Sequence, residues 1–145
     1  MPALPEPLAY ERFTAARVAR LTTVTPNGRP HVVPIVYAVV GPPRSAVVYS
    51  AVDAKPKRST ALQRLANVRA HPDAALLVDH YADDWTALWW VRADGRARVL
   101  DAHEPEAAVA VAALAERYPQ YRERPPDGSV LAVDISRWTG WAYAG

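Results

Sequence analysis

Arg17-Val-Ala-Arg-Leu-Thr-Thr-Val-Thr25, Pro26-Asn-Gly-Arg29 and Pro30-His-Val-Val-Pro-Ile-Val-Tyr-Ala-Val-Val40 form the stretch on which the fold turns. Residues 17–25 alternate and branch as a strand does. Asn27-Gly28 readily supplies the positive φ of a tight turn, so Pro26–Arg29 predicts a hairpin. The returning segment 30–40 is long and apolar. Pro34 inside it lacks an N–H for a ladder, which points to a sheet edge or a bulge.

The pattern extends in both directions from this hairpin. Residues 6–16 read as a helix that can pack Leu8, Phe13 and Ala16. Gly41–Arg44 predicts a second turn and Ser45–Val52 a third strand. Residues 59–70 predict a helix with Leu62, Leu65 and Ala66 as its apolar stripe. His71-Pro-Asp73 ends it, and Ala74–Tyr81 reads as a buried strand. Trp85–Leu100 is too long for an ordinary strand; turn chemistry at Asp94-Gly95 favours folding it back, and a bulge is the alternative. Pro105 suits the first position of a helix over 105–117, with Val111, Leu114 and Ala115 inward and Tyr118 extending the stripe. Residues 122–128 form a polar loop, and Ser129–Tyr143 a last strand. About six antiparallel strands with short helices at the corners predict a β-rich α+β domain spanning 1–145.

The chain has 145 residues, 17 Lys plus Arg against 15 Asp plus Glu, a net charge of +2, and no cysteine. Near-neutrality with interspersed acids argues against nucleic-acid binding. The absence of cysteine excludes disulfides, thiolate catalysis and zinc ribbons. Met1-Pro-Ala-Leu-Pro5 carries neither the basic region nor the apolar run of a signal peptide, and no apolar stretch reaches membrane-spanning length. A soluble cytoplasmic protein is expected, with no membrane partner.

Several chemistries find no support. His31, His71, His80 and His103 are scattered and lack metal spacing. Asp79 and His80 would point to opposite faces of their strand, so they do not converge. There is no G-x-S-x-G elbow, no G-x-G-x-x-G and no P-loop. What remains is cationic and aromatic. Lys55-Pro-Lys57-Arg58-Ser59-Thr60 lies where a strand ends and a helix begins, and a helix N-terminus presents free N–H groups and a positive dipole end to anions. Trp85 and Trp89, an even number apart on one expected strand, would share a face. A phosphate cradle together with an aromatic wall suggests a site for a flat cofactor that does the chemistry itself.

With these residues, the chain resembles the pyridoxamine-5′-phosphate-oxidase-like split β-barrels, and within them the actinobacterial branch that uses the deazaflavin F420. The resemblance runs through Arg20–Pro34, Val48-Tyr-Ser50, Lys55–Thr60, Leu65-Ala-Asn67, His71-Pro72, Leu77–Tyr81, Asp84-Trp85 and Gly95-Arg-Ala97. It implies a six-stranded antiparallel split barrel, a homodimer with cofactor sites between the subunits, and a single bent strand with a bulge at Asp94-Gly95. It also implies that Lys55, Lys57, Arg58, Ser59 and Thr60 hold the cofactor's phosphate, with Arg64 and Arg69 as further cations nearby. Val33, Pro34, Ile35 and Val36, with Tyr49 and Ser50, would lie along the ring system, and Trp85 and Trp89 would wall the pocket near the partner. The ending Ser136-Arg-Trp-Thr-Gly-Trp141 lacks the R-x-R-L-like pattern of a vitamin B6 oxidase. The implied activity is hydride transfer between F420 and a small organic acceptor, with no catalytic residue assigned; Tyr49, Tyr81 and His80 are the candidate proton donors. FMN is the alternative cofactor, and a non-catalytic flavin or haem carrier the alternative role.

Overall fold

The structure, a computed structural model, describes residues 2–52 and 58–144, and of residues 58–61 the backbone alone. Helix α1 (Glu6–Ala15) begins after Pro5, with Glu6 in its first turn and Arg12 in its last, both favourable to the helix dipole. It buries Ala9 and Phe13 and packs on the two longest strands.

Strands β1 (Ala19–Val24) and β2 (Pro30–Ile35) form the expected hairpin. Thr25 N–H donates to Arg29 O at 2.8 Å and Gly28 N–H to Thr25 O at 2.8 Å. Gly28 takes φ +86°, whereas Asn27 keeps a negative φ, so the connection is longer than a two-residue Asn-Gly turn.

The segment 30–40 is two strands, not one. After β2 the chain breaks at Val36-Tyr37, and β3 (Ala38–Val40) lies at the far end of the sheet, whose order is β2-β1-β5-β6-β7-β4-β3. Side chains satisfy the broken backbone. Arg117 donates to Tyr37 O at 2.9 Å, and Tyr37 N–H donates to the Tyr118 hydroxyl at 3.2 Å. The Tyr37 hydroxyl donates to the Phe13 carbonyl. Pro34 thus sits on an edge strand, as its missing donor requires.

The remaining elements are β4 (Val47–Ala51), α2 (Arg58–Ala70), β5 (Asp73–His80), β6 (Trp89–Leu100), α3 (Pro105–Arg117), α4 (Pro119–Glu123) and β7 (Val130–Ala142). The expectation of six strands in a barrel is corrected. Among the described residues there are seven strands in one antiparallel sheet, and its terminal strands β2 and β3 do not pair with each other. Strand β5 is half-buried in alternation rather than buried on both faces.

No hairpin forms at Asp94-Gly95; β6 runs straight through. Asp94 pairs with Arg137 but Gly95 with Ile135, so Ser136 of β7 is the extra residue of a bulge. Ser136 Oγ donates to Asp94 O at 3.1 Å. A Cβ on Gly95 would lie 2.1 Å from the Asp134 carbonyl, so backbone proximity and not a turn demands glycine there.

Helix α2 turns Leu65 and Val68 inward, while Leu62 and Ala66 are exposed. The face is shared with a polar residue: buried Asn67 donates to Thr23 Oγ1 at 3.0 Å and accepts from Gln63 at 2.7 Å. On α3, Leu114 and then Tyr118 are buried as expected, with Ala107 and Ala110. No helix among the described residues is long and apolar enough to cross a membrane.

Candidate functional site

The strand β4 and helix α2 flank the basic sequence. Lys55 and Lys57 lie outside the described residues. Arg58, Ser59 and Thr60 open α2, whose first turn contains no acidic residue. Cations at a helix N-terminus oppose the positive end of the dipole, and no carboxylate within that turn offsets them. An anion would.

Of the ring-lining candidates, Val33, Pro34 and Ile35 lie on β2, with Ile35 buried, Val33 half-buried and Pro34 exposed. Tyr49 and Ser50 lie on β4 and are buried. Strands β2 and β4 sit on opposite flanks of the sheet order, so pairing does not bring these groups together. Val36, just past β2, and Ala51, at the end of β4, each pack against the cluster of Ala38, Leu114 and Tyr118.

Tyr49 has a structural partner that the sequence did not reveal. Its hydroxyl donates to Glu106 Oε2 at 2.7 Å, and its ring packs with Leu100, Ala107 and Ala110. Arg98 grips Glu106 with two bonds at 2.7 and 2.8 Å and Asp134 with two at 2.7 and 2.9 Å. Burial, then the hydrogen bond to Glu106 and its charge, push the Tyr49 phenol up to about 12. The Arg98 and Tyr49 hydrogen bonds hold the Glu106 carboxyl below its usual range. A phenol committed to a carboxylate is a poor proton donor for a ligand.

Trp85 does not lie on a strand. It opens a single 3-10 turn, Trp85–Ala87, capped by Asp84 Oδ1, which accepts from Thr86 N at 3.1 Å and Thr86 Oγ1 at 2.6 Å. Those Thr86 bonds hold the Asp84 carboxyl below its usual range. Strand β6 starts at Trp89, so even spacing does not place the two indoles on one face. Trp85 is 69% exposed, whereas Trp89 packs at the core edge with the Arg12 guanidinium 5.3 Å from its ring.

Sheet register defines a second feature. Thr22, Ala75, Leu77, Asp79, Trp90 and Arg92 occupy one face of β1, β5 and β6. With Tyr81 they line an open concavity of ≈ 450 Å³. Leu77 is 37% and Tyr81 62% exposed. His80 is also exposed and points to the other face from Asp79, as expected. No group of three or more potential metal ligands occurs among the described residues.

A family profile described as pyridoxamine 5′-phosphate oxidase matches residues 7–142. No protein of curated function matches the sequence. Among solved structures, a conserved hypothetical protein of Mycobacterium tuberculosis is similar at 22% identity and TM-score 0.74, covering 97% of this chain and 86% of that one. A protein of Mesorhizobium loti described as FAD-binding gives 22% identity and TM-score 0.66, with 96% and 93% covered. HutZ, described as the haem storage protein of Vibrio cholerae, gives 16% and 0.66, with 94% and 93% covered. At these identities the likeness is one of fold.

Proposed function

Because this chain belongs to the pyridoxamine 5′-phosphate oxidase family, we propose that it is a cytoplasmic oxidoreductase that binds the deazaflavin F420 and serves a small organic acceptor. The observation that carries the reading is the start of α2, where a run of cations meets a helix N-terminus whose first turn holds no acid. That arrangement is unfavourable alone and favourable around a phosphate, so the donor set fits the cofactor's phosphate end. Bound F420 supplies two-electron hydride chemistry toward an enone, quinone or tetrapyrrole-like acceptor.

The chain's own task is binding and orientation. Lys55, Lys57, Arg58, Ser59 and Thr60 hold the phosphate. Val33–Val36 and Ser50 offer backbone groups and apolar surface along the ring. Tyr49 contributes by supporting β4 under α3, because its hydroxyl is engaged. Trp85, exposed ahead of β6, walls the pocket near a second subunit, whereas Trp89 stays at the core edge. That subunit is a second copy seated on the face around Leu77 and Trp90. Arg20 and Arg92 there, with Asp79 and Asp94, give both signs of charge, as a self-complementary two-fold contact requires. Leu77→Glu should convert a dimer to a monomer by light scattering; a wild-type monomer would remove this partner.

FMN is the second reading, supported by the FAD-binding description of the Mesorhizobium loti protein; a haem carrier is the third, by analogy with HutZ. The test is titration of the apoprotein with F420, FMN and haem, followed by tryptophan quenching and, for haem, its Soret band. Saturable F420 binding with turnover of an acceptor panel supports the reductase, while preference for FMN or haem replaces it. Lys57→Ala should weaken the phosphate-bearing cofactors by about 1.5–3 kcal/mol. Unchanged affinity would exclude the cradle.

A further inference from the structure

Two strand ladders stop on either side of Val36-Tyr37. Ile35, the last residue of β2, pairs with Ala19, and Ala38, the first of β3, pairs with Tyr49. The direction in which residues 33–36 continue toward Tyr49 and Ser50 is therefore set by side chains. The end of α3 supplies them. Arg117 bridges two carbonyls, donating to Tyr37 O at 2.9 Å and to Ala16 O at 2.6 Å. The Tyr118 hydroxyl accepts from Tyr37 N–H at 3.2 Å, and its own proton reaches Tyr37 O or Arg17 O, both at 3.0 Å. The Arg117 guanidinium also lies 5.2 Å from the Tyr37 ring and 5.3 Å from the Tyr118 ring. None of the ion pairs among the described residues includes Arg117. Its planar fork serves backbone acceptors instead, and such a fork fixes direction as well as distance.

The other end of α3 holds the other side of this joint. Glu106, in its first turn, accepts from the Tyr49 hydroxyl at 2.7 Å. One helix of 13 residues, about 20 Å long, thus fastens Tyr49 at its start and Tyr37 at its finish.

We propose that α3 is a brace that sets the angle between residues 33–36 and β4, and that Arg117 and Tyr118 are positioning residues of the ring site. They act through Tyr37, by aligning the two parts of the ring wall. The role of that wall rests on the cofactor reading; the bracing of the joint does not.

The experiment joins deuterium exchange on the apoprotein to titrations with FMN, riboflavin, F420 and the F420 chromophore lacking phosphate and tail. Tyr118→Phe keeps the packed ring and removes the acceptor of Tyr37 N–H. Exchange within 33–38 should rise about tenfold, while 19–24 and 130–142 exchange as in wild type. The variant should weaken each cofactor and its phosphate-free chromophore by the same factor, about tenfold. Lys57→Ala should give the opposite split, weakening FMN and F420 while sparing the two chromophores. Arg117→Lys keeps the charge and gives up the bridge; it should behave as Tyr118→Phe does, and it decides the question if Tyr118→Phe does not fold. A purely structural clamp would lower the Tm and leave every affinity unchanged. That result, or unchanged exchange at 33–38, overturns the proposal. If the wild type binds none of the four probes, the cofactor reading falls, and exchange at 33–38 alone decides whether α3 holds the joint.

Discussion

Arg98 meets two carboxylates, Glu106 and Asp134, through four hydrogen bonds of 2.7–2.9 Å; Arg64, on α2, encloses its Nε without a hydrogen-bond partner among the described residues. Both guanidinium groups are half-buried. The first is tied into the packing of α3 against β4, β6 and β7, so it is committed to holding the fold. The second takes part in none of the ion pairs among the described residues. Burial alone therefore does not tell how much an arginine contributes to the fold; the carboxylates that meet it do.

Several substitutions would break or sharpen that contrast. Arg98→Met should have the largest effect, about 2 kcal/mol in denaturant unfolding, since it leaves two carboxylates facing each other. The figure is kept low because the guanidinium is 39% exposed and partly screened. Glu106→Gln should cost about 1–1.5 kcal/mol near neutrality. Its sign with pH is fixed by the direction of the shift. The folded-state pKa lies below the ordinary value of 4.5, so the carboxylate stabilises above about pH 4.5 and that contribution is lost as pH falls through the folded value. Wild type and variant should converge in acid. A gap that persists there would mean that Glu106 works by shape and not charge.

Tyr49→Phe should cost about 1 kcal/mol. The phenol is raised from 10.0 to about 12, so its contribution is complete below pH 10 and is lost as pH rises toward 12. Alkaline unfolding of the variant should lack that part of the decline. Arg64→Met should fall at the bottom of the series, within about 0.5 kcal/mol of wild type or above it. A loss comparable to that of Arg98→Met would erase the distinction between the two arginines.

The sequence conveyed local structure better than neighbourhood. The strand β1, the hairpin at Gly28, the edge position of Pro34 and helix α3 from Pro105 were all legible from alternation, turn chemistry and proline placement. The break at Val36-Tyr37 was not, because the groups that make it tolerable, Arg117 and Tyr118, lie some eighty positions away. The same holds for Tyr49, whose engagement by Glu106 spans 57 residues. At Asp94-Gly95 turn chemistry misled, since the glycine answers to the Asp134 carbonyl on another strand. Leu62 and Ala66 were read inward by periodicity, yet buried Asn67 takes part of that face through its bond to Thr23. For the site, the start of α2 was legible as charge beside a helix terminus. The spacing of Trp85 and Trp89 presumed a strand that begins only at the second of them.

Ser136 makes residue count itself a property of this fold. Strand β7 pairs with β4 over Val130–Asp134, and past the extra residue its alternation restarts, so that Trp138 turns inward and its indole donates to Pro43 O at 2.9 Å. Deleting one residue there would turn 137–142 over, sending Arg137 toward the aromatic cluster of Phe13 and the indole into water. The loop around 101–104 can gain or lose residues at little cost. The interval from Ile135 to Trp138 cannot, so descendants of this chain would vary in length elsewhere and in spelling here.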